Sequence, residues 1–207
     1  MLTTCAQFKL IYPANSEDAE RELRKIEAAG RACYRSEHKI TGNSYLQFIH
    51  NIMQRGHLSV IEHAFATAQI ITDRGITHEI VRHRLASYSQ ESTRYCNYSQ
   101  DRFGGELTFI EPPGLGSAYL EWRQAMEDAE RHYLAMLEMG TSPEIARAVL
   151  PNSLKAEIWI TANVREWLHI FKLRTSQAAH PQIRHVMTMG LRQMNELMPV
   201  IFGSVVE

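Results

Sequence analysis

Apolar and polar residues alternate from Phe8 to Tyr12 and Pro13 ends the run, which predicts a strand. The period then lengthens. Ala19, Leu23 and Ile26 recur at helical spacing, with Ser16 as the capping hydroxyl and Gly30 at the position after the end. A second helix is predicted over 44 to 55, with Gly56 as its stop. AFATAQIIT, 64 to 72, reads as a strand closed by the turn signal Asp73-Arg74-Gly75, and THEIVRHR, 77 to 84, as a short helix delivering a cationic end into a loop. A strand at Leu107 to Glu111 precedes the breakers Pro112, Pro113, Gly114 and Gly116; a long helix from about Ser117 to Met139 follows, stopped by Gly140. TSPEIARAVLP makes a compact helix with Ser142 as cap, Pro143 in the first turn and Pro151 beyond its end. Leu154 to Asn163 alternates as a strand does, with an Ala-rich helix as the alternative. Helices over about Val164 to Arg174 and Pro181 to Met198 complete the pattern, and Met187, Leu191, Met194 and Leu197 are core or subunit-interface positions.

There is no internal repeat, low-complexity tract or linker-like stretch. The mixed order of elements predicts an α/β (α+β) fold, helices packed on a modest central sheet, as a single domain over 1–207. Hydrophobic content of 44% and charged content of 22% are those of a globular chain that can bury a core. A net charge of −1 provides no general attraction to nucleic acid or to an anionic membrane, so anion recognition has to be local. Five Lys against seventeen Arg lean towards bidentate recognition of phosphate or carboxylate. Three separated cysteines, Cys5, Cys33 and Cys96, suit a reducing cytoplasm. The N-terminal residues lack a signal-peptide layout and no apolar run approaches ~18 residues, so no membrane span is expected.

The densest chemistry lies in RHRLASYSQESTRY, 82 to 95. Arg82, His83, Arg84 and Arg94 bracket Ser87, Ser89, Ser92 and Thr93, an inventory suited to a phosphate held by guanidinium, hydroxyl and amide donors. On a regular helix the first three would fan out about 100° apart. Cations in a last helical turn also complement the helix dipole while merely solvated, and a Ser-rich surface turn needs no ligand, so the spacing alone leaves both readings open. His57, Glu62 and His63 are metal-ligand types, but HEIVR places Arg82 where the zinc helix needs its second His; no metal is expected. No G-x-G-x-x-G, G-x-x-x-x-G-K-[ST] or G-x-S-x-G occurs, which excludes a Rossmann or P-loop cradle. A nucleic-acid module built on the Arg-Ser-Tyr loop is opposed by the neutral charge and by Glu91 and Asp101.

RHR followed after seven residues by Ser92 and then Arg94-Tyr95 resembles the signature of the flavin-dependent thymidylate synthases. RGHLSVIEHAFA (55–66), HEIVRHR (78–84), SPEIARAVLP (142–151) and ANVREWLHIFKLR (162–174) extend the resemblance through most of the chain in family order. The resemblance implies an α/β homotetramer with shared active sites. The implied reaction makes dTMP from dUMP, with methylenetetrahydrofolate as carbon donor, NADPH as reductant through FAD, and tetrahydrofolate released. By the same resemblance, His57, Ser59 and Glu62 lie near flavin and folate; Arg82, His83 and Arg84 are the FAD triplet; Asn163, Val164 and Arg165 form a second FAD segment with His169. Glu79 with Arg82, the segment Gln90, Glu91, Ser92, Thr93, Arg94, and Arg147 are implied dUMP contacts, and Gln90 also serves the cofactor. Arg174 is the implied catalytic residue, facing the uracil and favouring its N3-deprotonated form. Two departures from the pattern occur: Ser89-Gln90 stands where members often carry Asn-Glu, and Thr93 where some carry Gly. Ser92 is read as a binding residue, since no general base is identifiable beside it.

Overall fold

The computed structural model describes residues 1–98 and 105–206; Asp101 lies outside the described residues. The described elements run β1 (Leu2–Thr4), β2 (Gln7–Tyr12), α1 (Ser16–Ala32), α2 (Ser44–Gln54), β3 (Phe65–Asp73), α3 (Arg74–Ile80), β4 (Ala86–Gln90), β5 (Thr108–Ile110), α4 (Tyr119–Glu138), α5 (Pro143–Ala146), β6 (Lys155–Asn163), α6 (Val164–Arg174), α7 (Pro181–Leu197) and α8 (Pro199–Val206). This is the mixed helix-and-sheet class that the sequence predicts. Strands β1 and β5 pair in parallel, Thr3 opposite Phe109, and the other four form a sheet of order β2-β3-β6-β4. Among the described residues no helix is long and apolar enough to cross a membrane.

The chain divides into two compact units. The first comprises Met1–Gln7, Ile71–Arg82 and Ser89–Ile158; the second comprises Phe8–Ile70, His83–Tyr88 and Trp159–Glu207. In the first unit Leu107, Phe109, Met126, Tyr133, Ala146 and Leu154 close a core under the long helix α4. In the second, alternate residues of β3 and β6 point inward, burying Ala66, Ala68, Ile70, Ile160 and Ala162, as a half-covered strand requires. Phe8, Trp167, Phe171 and Phe202 form an aromatic series with ring centroids 5.3 to 5.9 Å apart. Glu22, buried on α1, accepts from Tyr12 Oη at 2.8 Å, from the Phe65 amide at 3.0 Å and from Lys25 Nζ at 2.7 Å. Burial alone would raise its pKa, but these donors together hold the carboxyl below its usual range.

Several local expectations are corrected. Helix α1 is capped by Asn15, whose side chain accepts from the Asp18 amide at 2.9 Å, rather than by Ser16. Gly30 is inside that helix, where an added Cβ would run into Phe48 Cζ; it serves close approach, not chain reversal. Asp73-Arg74-Gly75 is no turn. Asp73 Oδ1 accepts from the Ile76 amide at 2.7 Å and starts α3 directly, since Asp is a strong cap. Helix α3 therefore begins early and ends at Ile80, so Arg82, His83 and Arg84 follow it instead of forming its last turn. Much of the Ser-rich loop is strand β4. Strand β1 and helix α8 escaped the sequence pattern, β1 because its three residues gain order only through pairing with distant β5.

Gly190, buried in α7, lies against the Phe8 ring, three of whose carbons would stand 2.5 to 2.7 Å from an added Cβ. Gly190→Ala gains ~1 kcal/mol of helix propensity but overpacks a buried ring at ~1–3 kcal/mol. A lowered Tm is expected in thermal denaturation, and an unchanged or raised Tm would show that Phe8 moves freely.

Candidate active site

In the first unit β4 ends at Gln90, and the chain then turns tightly: the Tyr95 and Cys96 amides both donate to the Ser92 carbonyl, at 3.2 and 3.0 Å. Glu91 anchors this turn. Its amide donates to the Glu157 carbonyl (2.9 Å), one carboxylate oxygen accepts from Tyr98 Oη (2.8 Å), and the other accepts from Lys155 Nζ (2.8 Å) and the Glu157 amide (3.3 Å). The Glu91 carboxylate is thus committed to holding the segment. Burial first, and Glu91 second, raise the Tyr98 phenol, so Tyr98 stays a donor.

Thr93 is buried and its hydroxyl accepts from Arg147 Nη1 at 3.2 Å, so the arginine sits beside the turn. Arg94 is half exposed and lies 3.9 Å from Glu144, a weak pairing that leaves its guanidinium available to a ligand. Gln90 Nε2 donates to Thr77 Oγ1 at 3.0 Å, and that hydroxyl donates to the Arg74 carbonyl at 2.9 Å. A glutamate at position 90 could only accept, so the neutral residue suits this chain of bonds. Two guanidinium forks with the hydroxyls of Ser92 and Thr93 make a donor set fitted to a phosphate monoester. Ser92 Oγ accepts from the Arg94 amide at 3.3 Å, and among the described residues no imidazole or carboxylate is hydrogen-bonded to it.

In the second unit β6 passes straight into α6. Asn163 caps the helix by accepting from the Glu166 amide at 2.8 Å, the Val164 amide donates to the Ala64 carbonyl at 2.8 Å, and Trp167 Nε1 donates to the Ala66 carbonyl at 3.0 Å. This anchoring aligns Arg165, Glu166 and His169 along a cavity of about 440 Å³, also lined by Glu62, Asn163 and Leu85. Arg165 Nη1 donates to Glu62 across the mouth. The exposed guanidinium of Arg165 and imidazole of His169, the carboxylates of Glu62 and Glu166 and the exposed apolar Leu85 bring charged and apolar surface together in this cavity. Val164 is buried, so any contact it makes with a ligand is through its backbone.

His83 is buried, and Arg174 Nε donates to its Nε2 at 2.9 Å. The acceptor role of Nε2 puts the proton of the neutral ring on Nδ1, which stands 3.8 Å from Glu166 Oε1. Tyr88 Oη donates to the His83 carbonyl at 2.7 Å, and burial, with the Glu166 charge second, pushes the Tyr88 phenol up to about 12. Burial, then the Arg174 charge, then His169, lower the His83 pKa from 6.5 to about 4. Glu166 is moved in the opposite sense, raised by burial.

The predicted residues therefore fall into groups. Gln90 to Arg94 and Arg147 come together in the first unit, which also holds Glu79 and the exposed Arg82. Glu62, Asn163, Arg165 and His169 share one cavity of the second unit; His83 and Arg174 form a pair, and Arg84 is exposed. His57 and Ser59 line a different cavity of that unit from Glu62. Sequence reasoning missed Thr77, Lys155, Glu166 and Leu85. Glu166 in a first helical turn reads as an ordinary dipole partner, and nothing local marks it as buried. Among the described residues no cluster of three metal-ligating side chains occurs.

A neutral native His83 makes stability fall as pH drops from 6.5 towards 4, because the unfolded imidazole takes a proton that the native one refuses. Glu166, with its raised pKa, offsets part of this by taking up its proton first in the native state. His83→Gln keeps an acceptor for Arg174 and removes the histidine contribution, so Tm should fall less steeply over that pH interval than in the unsubstituted protein. An identical slope would contradict a neutral buried His83.

A family model described as thymidylate synthase complementing protein matches residues 16–200. The flavin-dependent thymidylate synthase of Geobacter sulfurreducens is 37% identical over 188 residues, covering 86% of this chain and 79% of the relative. That of Corynebacterium glutamicum is 33% identical over 221 residues, covering 98% and 88%. The fold is that of a UMP/dUMP methylase, PolB, from Streptomyces cacaoi solved with 5-Br dUMP: TM-score 0.81 at 23% identity, covering 100% of this chain and 97% of that one. With a buried imidazole holding Arg174 and the RHR residues following α3, the chain is an enzyme that belongs to the family of flavin-dependent thymidylate synthases.

Proposed function

We propose that this enzyme methylates dUMP to dTMP, with methylenetetrahydrofolate as carbon donor, NADPH as reductant and FAD as resident cofactor, releasing tetrahydrofolate. The observation that carries the reading is the Arg174–His83 pair. A neutral acceptor orients the guanidinium without cancelling its charge, and a fixed cation of that kind stabilises a uracil ring that has lost its N3 proton. Losing that proton makes the ring more electron-rich at the carbon that receives the methylene group.

The nucleotide phosphate is held by Arg94, Arg147, Ser92 and Thr93, with Glu79, Arg82 and Gln90 contributing to the nucleotide and Glu91 fixing the turn. FAD is held by Arg82, His83, Arg84, Asn163, Val164, Arg165 and His169, with Gln90 and Glu62 contributing; His57 and Ser59 serve flavin and folate. When bound, FAD relays the two electrons of NADPH to the transferred carbon, and the protein's part is to position the partners and shield them from water. The phosphoryl and guanidinium contacts bind and orient; the His83 carbonyl, held by Tyr88, keeps the imidazole aligned. The span 1–207 acts as one catalytic module that assembles into a homotetramer with shared sites in a reducing cytoplasm, consistent with three free cysteines.

The direct test is a visible absorption spectrum of the purified protein with FAD, followed by anaerobic NADPH with and without dUMP. Bound flavin that is reduced faster with dUMP present is expected; a folded sample that binds no flavin would overturn the reading. Arg174→Ala should keep flavin and lose methylation by roughly 100-fold or more, the scale of one electrostatic stabiliser. Full activity would remove its assigned role. Ser92→Ala should retain measurable turnover, whereas complete loss with intact dUMP binding would contradict a binding role for Ser92.

A further inference from the structure

The cavity of about 440 Å³ at the start of α6 has a charge balance opposed to the ligand proposed for it. Among the described residues its charged wall consists of Glu62, Arg165 and Glu166, with His169 as a further titratable group that is exposed to solvent. Arg165 donates to Glu62, so these two charges pair. The Glu166 carboxylate is the surplus. A flavin dinucleotide brings a diphosphate, which on entering would meet a surplus charge of its own sign unless the wall changes its protonation.

Glu166 is also surrounded unlike the other buried glutamates. Glu22 accepts from Lys25, Tyr12 and the Phe65 amide, Glu27 from Arg31 and from Ser44 Oγ at 2.8 Å, and Glu130 from the Leu107 amide at 2.7 Å. The Glu166 side chain is only 9% exposed, yet among the described residues its carboxyl accepts no hydrogen bond. The groups that face it, besides Arg165 and Glu62 in the same wall, are the neutral His83, with Nδ1 at 3.8 Å, the Tyr88 phenol and His169. An ionised carboxyl here has lost water without gaining a donor, and burial raises its pKa against the opposing pull of His169. Protonation removes that penalty and turns the group from an acceptor into a donor.

We propose that Glu166 binds the anionic ligand of this cavity as a neutral carboxylic acid, taking a proton from solvent as the ligand enters and donating it in a hydrogen bond to a ligand oxygen. This rests on the proposed function, in which that ligand is FAD. One O–H bond forms on Glu166, the proton comes from the buffer, and no bond of the ligand changes. Glu166 is thus a cofactor-binding residue whose contribution depends on pH: binding with proton uptake weakens as pH rises above the pKa of the carboxyl in the flavin-free protein.

The test is calorimetry of FAD binding to the flavin-free, full-length protein over a range of pH, in two buffers of different ionisation enthalpy so that exchanged protons are counted. The unsubstituted protein should take up about one proton where its affinity for FAD falls most steeply, by about 10-fold per pH unit. Glu166→Gln, nearly the same in size and unable to titrate, should bind FAD without that uptake and without that slope. An infrared difference spectrum of the unsubstituted protein should gain a protonated-carboxyl band when FAD is added, a reading that requires neither a variant nor turnover. Uptake that survives in Glu166→Gln belongs to another group, such as His169, and overturns the proposal. So does FAD binding to the unsubstituted protein with no proton uptake and no new carboxyl band, an outcome that leaves the proposed function standing. A folded protein that binds no FAD sinks the proposed function, and this inference with it.

Discussion

The hydrogen bond from Trp167 Nε1 to the Ala66 carbonyl fixes helix α6 on the sheet of its unit, and the candidate site there depends on it. It acts with the Asn163 cap and the bond from the Val164 amide to the Ala64 carbonyl. Three contacts at the start of a helix set both its axis and its rotation. Each later residue then follows at 1.5 Å and 100° per step, so one anchoring event positions Arg165, Glu166, His169 and Arg174 together. The indole is fully buried between Phe8 and Phe171, which makes this rotation expensive to change.

Charge is managed differently at the two candidate sites. In the first unit the Glu91 carboxylate is saturated by a lysine, a phenol and a backbone amide, which suits a group whose task is to hold a turn. One partner of Arg174 is a neutral imidazole. A carboxylate at the same distance would have cancelled much of the guanidinium field. A neutral acceptor contributes orientation without cancelling the charge. Glu166 reaches the far nitrogen of the same ring only at 3.8 Å and has its own pKa raised, which limits its pull on the imidazole proton.

A chain without a glycine cradle can still offer a flavin cofactor charged and apolar side chains. The exposed Arg165 and the exposed Leu85 beside a capped helix supply charge and apolar surface through side chains. Side chains can be placed by any well-anchored element, whereas a backbone cradle requires a particular strand-turn-helix.

Much was legible in the sequence where the signal is local. The period of β3, β6, α6 and α7, the stops at Gly56 and Gly140, and the density of cations and hydroxyls from Arg82 to Arg94 all follow from spacing and residue type. The family was legible because its motifs are contiguous. Caps were less secure: Asn15 and Ser16 are adjacent and chemically similar, and Asp73 can open a helix as readily as a turn. Tertiary structure alone decided that Gly30 admits Phe48, that His83 is neutral, that Glu166 is buried and that Glu91 is committed to Lys155 sixty-four positions away. Propensity and periodicity report on neighbours within about two turns of chain. Burial and the pairing of distant polar groups depend on which surfaces meet, and that is set only when the elements pack.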